Sequence, residues 1–358
     1  MSRVAGTPEP ARESLSVARG DLDLWLELLL RDHEVIAPVA DPDGEVIFRP
    51  ISAPREVSWE FDNPLLPPKA YLLPQTEPLF RVAQRNGRHQ LEAEGGARPR
   101  LLFNLRSCDA SALAYLRAVF AADLPDNALL RRADALTIVT LACAQPCRDG
   151  FCACCAAGPF LTAGFDIQLT DLGSRFLAEP GSEKGCTLLA RAGSLFRAAS
   201  GTELERRVAA EVRAREGFGE ETCHFASAMR RISTGRVPAE LWEAAGGECF
   251  ECGGCTLVCP TCYCFSVRDR EVSGGWERCR VWDSCQYRAF TLEASGHNPR
   301  EHRSDRIKRR FFHKVSAQYF QREGTVGCVG CGRCIQVCLG TPDMPAVVGA
   351  IRRGEWHG

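Results

Sequence analysis

The segment Cys249-Phe-Glu-Cys252-Gly-Gly-Cys255-Thr-Leu-Val-Cys259-Pro260 has the spacing C-x2-C-x2-C-x3-C-P. Three cysteines at two-residue intervals let a tightly curving backbone wrap one face of a cubane iron-sulfur cluster, and the fourth is held farther along the chain. Gly253 and Gly254 remove side chains where the chain must turn closely. Thiolates suit the task because iron in a cubane takes soft, anionic ligands. The spacing recurs at Cys328-Val-Gly-Cys331-Gly-Arg-Cys334-Ile-Gln-Val-Cys338, where Leu339 replaces the proline. That proline shapes the following backbone and donates no ligand, so the second ligand set is still complete. Zinc also takes four thiolates, but typically as two separated C-x2-C hooks. Two [4Fe-4S] clusters are therefore expected.

In two-cluster ferredoxins the last cysteine of each run ligates the other cluster. The same exchange here would place Cys249, Cys252, Cys255 and Cys338 on one cluster, and Cys328, Cys331, Cys334 and Cys259 on the other. Spacing specifies the runs, and the exchange is an expectation about how they pack. Cys262, Cys264, Cys279 and Cys285 follow the first run, with a single residue between Cys262 and Cys264. Buried cysteines commonly behave as small hydrophobes, and packing or support of the nearby ligands is expected for these four.

A less regular group precedes them: Cys108, Cys143, Cys147, Cys152, Cys154 and Cys155. Three readings stay open here, a third [4Fe-4S] cluster, a zinc site and reduced structural thiols. The preferred cluster set is Cys108, Cys143, Cys152 and Cys154, with Cys147 as the first substitute if Cys152 and Cys154 cannot reach the same cubane. No catalytic residue is assigned. No obvious basic histidine accompanies this group, and His224, His297, His302 and His313 read as packing, capping or electrostatic residues.

The composition limits what else these cysteines can be. The chain has 358 residues, twenty of them cysteine, with 45% hydrophobic residues, 25% charged residues and a formal net charge of -1. Disulfide frameworks usually rescue short secreted chains, whereas this chain is long enough for two or three domains. Near neutrality gives no global attraction to nucleic acid, so no nucleic-acid partner is expected. No apolar run approaches the roughly 20 residues that span a bilayer. The opening MSRVAGTPEPARESLSVARGD also lacks the apolar segment of a secretory signal. The expectation is a cytoplasmic protein without direct membrane insertion.

The elements that must position the cysteines are legible in outline. Leu24, Trp25, Leu28 and Leu29 recur at helical spacing, with Asp21 or Asp23 as a cap. Residues 35–40 and 45–48 read as strands around Asp41-Pro42-Asp43-Gly44. Residues 101–105 and 136–142 are short apolar runs separated by a helical pattern at residues 110–120, which predicts a βαβ arrangement with Cys108 and Cys143 just past strand ends, where sites in open α/β sheets gather. A hairpin is expected across Asp171-Leu172-Gly173, a capping box at Thr202 and Glu205, and a short helix beginning at Pro238. Between Cys259 and Cys328 lie 68 residues, enough for two or three helices. One of them, from Ser304 or Asp305 to Gln321, has Ile307, Phe311, Val315 and Tyr319 on a stripe and Gly324 as its stop. Its basic run admits a solvated face, charge balance for a cluster or contact with a partner subunit, and nucleic-acid binding. The expected fold is an α/β N-terminal domain over residues 1–230, carrying the third site, and a mainly α-helical dicluster ferredoxin-like domain over residues 231–358.

Several longer segments together resemble a known family. They include Pro67-Pro-Lys69 with Leu73-Pro-Gln75-Thr-Glu77, Arg106-Ser-Cys108-Asp109, residues 143–159, Gly181-Ser-Glu-Lys-Gly185, residues 251–265, Trp282-Asp-Ser-Cys285, Gly296-His-Asn298 and His313-Lys314. The chain resembles the iron-sulfur beta subunit of soluble [NiFe] hydrogenases of the sulfhydrogenase type, and the related A subunit of anaerobic sulfite reductases. The resemblance implies an electron-transfer subunit that lacks the catalytic metal and works beside nickel-iron hydrogenase subunits and a flavin subunit handling NAD(P)H. For the sulfite reductase relative the partners differ. In family members Cys152 and Cys154 are matched, while Cys147 and Cys155 are additional. A separate reading remains open, an iron-sulfur/flavin reductase with its own substrate pocket. No G-x-G-x-x-G fingerprint follows a strand, as expected if flavin and nicotinamide sit on another subunit.

Overall fold

The computed structural model describes residues 12–85, 87–93, 96, 98–219 and 223–356. The first half of the polar N-terminal stretch, residues 1–11, lies outside these. Among the described residues twelve strands follow in chain order: β1 (Leu15–Ala18), β2 (Glu34–Ala40), β3 (Val46–Pro50), β4 (Thr76–Arg85), β5 (Arg88–Ala93), β6 (Arg100–Leu105), β7 (Leu136–Leu141), β8 (Ile167–Asp171), β9 (Arg175–Pro180), β10 (Phe196–Ala198), β11 (Phe265–Val272) and β12 (Gly275–Trp282). They form an eight-stranded sheet in the order β10-β1-β9-β8-β7-β6-β2-β3 and a four-stranded sheet in the order β11-β12-β4-β5. In the large sheet β2, β6, β7 and β8 are mutually parallel, and the flanking pairings are antiparallel.

The apolar run of β6 serves both faces of this sheet. Leu101 and Phe103 enter one core with Trp25, Leu26 and Leu29 of the helix Leu22–Asp32. Leu102 and Leu105 enter the other with Leu113 and Leu116 of the helix Ser107–Ala121 and Leu129 of the helix Asn127–Ala135. A parallel strand covered on both faces needs this near-continuous apolar sequence. Helical periodicity therefore located the first helix, although its buried stripe is Leu22, Trp25, Leu26 and Leu29, and Leu24 faces solvent. The Thr202 capping box is also displaced. Ser200 and Glu203 form it, with Ser200 N donating to Glu203 Oε2 at 2.8 Å. Glu203 wins because it is buried and also accepts from Ser16 Oγ and Arg197, partners supplied only by the tertiary fold.

The insertion between the two cysteine runs opens on a hairpin, β11 and β12, before its helices begin. These strands escaped a helical expectation because β11 is mostly exposed and carries four consecutive charged residues, Arg268 to Glu271, without apolar alternation. They add to β4 and β5, so the four-stranded sheet takes two strands from each side of residue 230. Arg280 fastens it to the large sheet's helical layer. Its buried guanidinium donates to Glu77 at 2.9 and 2.5 Å and to Asp126 at 2.5 Å, and Asp126 in turn caps the helix Asn127–Ala135.

The long basic helix is two helices, Arg303–Val315 and Ala317–Glu323. Ser316 adopts an extended conformation between them and its Oγ accepts from Tyr319 N, which starts the second helix afresh. Ile307, Phe311 and Val315 are buried as the stripe predicts. Arg306, Arg310 and Lys314, one residue earlier in each turn, are buried too. Much of the basic face is thus turned inward, which removes the solvated-face reading for these three.

Candidate metal centres

The two cysteine runs fold alike. Glu251 and Gly330 hold φ of 58° and 62°, and their amides donate to Cys249 Sγ and Cys328 Sγ at 3.4 Å each. Gly253 and Gly332 follow with φ of 71° and 79° and start the short helices Gly254–Leu257 and Arg333–Gln336. Two left-handed residues in close succession coil the backbone so that successive thiols face one side. Glycine is the residue for which such a conformation is not costly.

Two cavities result. One is lined by Cys249, Cys252, Cys255 and Cys338, together with Gln286, Ile307 and Arg310. The other is lined by Cys259, Cys328, Cys331 and Cys334, together with Phe151, Met344, Lys314 and again Arg310. Each run thus sends its fourth cysteine to the cavity of the other. Among the described residues no three His, Cys, Asp or Glu side chains close on a single metal ion; the thiols instead stand around these spaces.

Cationic groups surround them. Arg310 is common to both cavities, and its Nε is buried without a hydrogen-bond partner. Burial works against its charge, but Cys255, Cys334, Cys262 and Cys259 raise its pKa. Lys314 Nζ lies 3.6 Å from Cys259 Sγ and donates to Thr261 Oγ1 at 2.6 Å. Lys69 Nζ donates to the carbonyls of Cys259 at 2.8 Å and Cys262 at 3.1 Å and sits 4.2 Å from the Trp282 ring centroid. Buried cations without carboxylate partners are costly. Two anionic thiolate-ligated clusters would compensate them and give the orphaned Arg310 N–H an acceptor, so the residues present fit such groups.

The N-terminal thiols divide. Burial pushes Cys147 up to about 11, with Cys143 adding to it. Burial likewise raises Cys152, with Cys143, Cys147 and Cys331 adding. Cys108 is raised by burial and then by Asp109, Cys331 and Cys152. Cys152 thus interacts electrostatically with each of Cys108, Cys143 and Cys147. Cys154 lies instead with Cys155, Cys223 and Cys328. Residues Cys152–Cys155 form a 3-10 turn, in which successive side chains splay by about 120°. Cys152 and Cys154 consequently diverge, which is the condition under which Cys147 is the first substitute for Cys154. A Cβ on Gly158 would lie 3.0 Å from Cys152 Sγ and 3.2 Å from Ser107 Cβ, so glycine there keeps the thiol group accessible to its neighbours.

This group adjoins the second cavity. Phe151 N donates to Gly330 O at 2.7 Å, and a Cβ on Gly330 would stand 2.5 Å from Phe151 O. Arg333, between Cys331 and Cys334 in sequence, is fully buried and donates to both carboxylate oxygens of Asp109 at 2.7 and 2.9 Å. It also donates to Asn63 Oδ1 and Pro64 O at 2.6 Å each. Asn63 Nδ2 in turn lies 3.7 Å from Cys108 Sγ and donates to Cys331 O at 3.0 Å.

Among the remaining thiols, Cys262 interacts electrostatically with Cys259, and Cys264 with Cys285. Sequence reasoning left Asn63, Arg310 and Arg333 without individual roles. Arg333 carried a signal in its position between two ligands of one run; nothing local marked Asn63.

A sequence profile of the 4Fe-4S dicluster domain matches residues 248–341. The chain is also 30% identical over 310 residues to sulfhydrogenase 2 subunit beta of Pyrococcus furiosus, a match that covers 86% of this chain and 89% of that one. Among the described residues no helix is long and apolar enough to cross a membrane.

Proposed function

The chain belongs to the family of sulfhydrogenase beta subunits, an iron-sulfur electron-transfer subunit with two clusters in its dicluster domain, and from that premise we propose that it relays electrons between a nickel-iron catalytic pair and a flavin subunit handling NAD(P)H in a cytoplasmic complex. The observation that carries this reading is the pair of four-cysteine cavities sharing the buried Arg310. Bound clusters supply one-electron chemistry. The chain's own residues would hold them in the two cavities and balance their charge. Cys249, Cys252, Cys255 and Cys338 are the ligands of one cluster in this reading, and Cys259, Cys328, Cys331 and Cys334 those of the other. No residue of this chain is given a catalytic role.

A cavity of about 490 Å³ borders Leu136 and Asp166 at the amino ends of β7 and β8. Cys143 follows the carboxyl end of β7, so this cavity is at the wrong edge of the sheet to serve the thiols. Anaerobic purification of the native complex, with identification of every subunit, tests the relay. Nickel-iron and flavin subunits are the expected companions. A sirohaem subunit would move the assignment to sulfite reduction, and a lone chain turning over its own substrate would end it.

The third site follows the same logic. Cys108, Cys143, Cys147 and Cys152 are proposed to hold a further [4Fe-4S] cluster, extending the path from the second cavity into the α/β region past Arg333 and Asn63. Replacing Cys147 by Ala should lower the iron and acid-labile sulfide of anaerobically reconstituted protein by one cluster's worth. Cys154→Ala should leave both unchanged. Equal iron in wild type and Cys147→Ala would remove the third cluster from the account.

A further inference from the structure

Four arginines from two segments line a further cavity, of about 300 Å³, that no cysteine borders. Arg98 and Arg100 stand where the chain enters β6, and Arg131 and Arg132 lie on the helix Asn127–Ala135. The start of β4 supplies Pro78 and Leu79, and Tyr71, the last residue of the 3-10 turn Pro68–Tyr71, completes the wall. The whole chain carries a formal net charge of only -1, so this gathering of one sign is a local feature.

Carboxylates of the fold offset only part of that charge. Arg100 Nε lies 2.5 Å from Glu34 Oε2, and Arg132 Nη1 lies 2.6 Å from Glu77 Oε1. Glu77 has no charge to spare, because the buried Arg280 also donates to it at 2.9 and 2.5 Å. Arg132 Nε donates to Leu72 O at 2.9 Å, while its Nη2 is buried without a hydrogen-bond partner among the described residues. Arg98 and Arg131 are exposed, and among the described residues neither has a hydrogen-bond or ion-pair partner. A single exposed arginine is ordinarily just solvated. Two unpaired guanidinium groups and an unsatisfied guanidinium N–H around one concavity are instead the donor set that an anion satisfies.

We propose that this cleft binds a phosphate ester of mononucleotide size. Guanidinium groups meet phosphate oxygens with paired, charge-assisted hydrogen bonds, and Arg98 and Arg131 supply them here. Tyr71, Pro78 and Leu79 give the apolar surface against which the organic part rests. The volume is at the lower end for small-molecule sites, which suits a mononucleotide better than a dinucleotide. A ligand held there touches the 3-10 turn that also reaches the second cysteine cavity, since Lys69, two residues before Tyr71, donates to the carbonyls of Cys259 and Cys262. No bond is made or broken in the cleft. The proposal stands apart from the cluster reading, because its residues are separate from both four-cysteine sets.

The test is calorimetric titration of the full-length protein, purified anaerobically and held at low ionic strength, with adenosine 5′-monophosphate, inorganic phosphate and adenosine as probes. The monophosphate should bind saturably at one site, inorganic phosphate should displace it, and adenosine should not bind at the same concentrations. An Arg98→Ala, Arg131→Ala double variant should weaken monophosphate binding by about tenfold or more. Arg213→Ala, an exposed change on the distant helix Gly201–Glu216, should leave it unaltered. Because both cleft side chains are exposed and unpaired, the double variant should unfold at the wild-type temperature. If it does not, the single variants Arg98→Gln and Arg131→Gln take its place, each expected to weaken binding. Equal monophosphate binding in wild type and in these variants would overturn the proposal, as would adenosine binding as tightly as its monophosphate, or no saturable binding of either anion. Inorganic phosphate that binds while the monophosphate does not would overturn the organic ligand.

Discussion

Arg333→Met should unfold the junction between the second cysteine run and the α/β region at a markedly lower denaturant concentration than wild type, with a loss of about 3–5 kcal/mol. The guanidinium and the Asp109 carboxylate are both fully buried, and their two hydrogen bonds make a bidentate pair. Removing one member of such a pair leaves the other charge uncompensated in a medium that solvates it poorly. Asn63 Oδ1 and Pro64 O would lose their donor at the same time. Lysine cannot substitute, because an ammonium lacks the planar fork that reaches both carboxylate oxygens. The double variant Asp109→Leu, Arg333→Met removes both charges and should recover much of the loss. Chemical denaturation of the three proteins under anaerobic conditions measures this directly. A double variant as unstable as Arg333→Met would show that the pair's charge balance is not the cause.

Arg310→Met should lower the reduction potential of both clusters. Adding an electron makes a cluster more negative, so a nearby positive charge favours the reduced form, and its removal shifts the couple to more negative potential. A unit charge a few ångströms away is worth on the order of 3 kcal/mol at an effective dielectric near 20, which is on the order of 100 mV for a one-electron couple. Arg310 lines both cavities, so both potentials should move. Lys314 and Lys69 lie beside Cys259 and Cys262, and Lys314→Met should weigh on the second cluster alone. Redox titration followed by electron paramagnetic resonance separates the cases, and unchanged potentials in Arg310→Met would refute the charge-balancing role.

The legible part of this fold was the part written in local patterns. Residues 101–105, 110–120 and 136–142 gave the βαβ unit because apolar runs and helical spacing are local properties, and β6 and β7 pair in parallel as that unit requires. The cysteine runs were legible for the same reason, since each ligand set is nearly contained in eleven residues of sequence. What stayed hidden depended on distant contacts. β11 is an exposed, charged strand whose identity comes from pairing with β12, which in turn pairs with β4. Arg310 and Lys314 sit on a helix rich in basic residues, and only packing against the cavities distinguishes them from Arg303 and Lys308. The divergence of Cys152 and Cys154 comes from a 3-10 turn that spacing alone does not encode.

The exchange of fourth cysteines is the central claim about the site, and single-ligand variants test it most directly. Cys249→Ser, Cys334→Ser and Cys338→Ser proteins, each reconstituted anaerobically, are compared by electron paramagnetic resonance of the dithionite-reduced clusters. Because Cys338 lines the cavity of Cys249, Cys252 and Cys255, Cys338→Ser should perturb the same cluster signal as Cys249→Ser and leave intact the signal altered by Cys334→Ser. A Cys338→Ser spectrum that instead changes the signal shared with Cys334→Ser would contradict the exchanged arrangement.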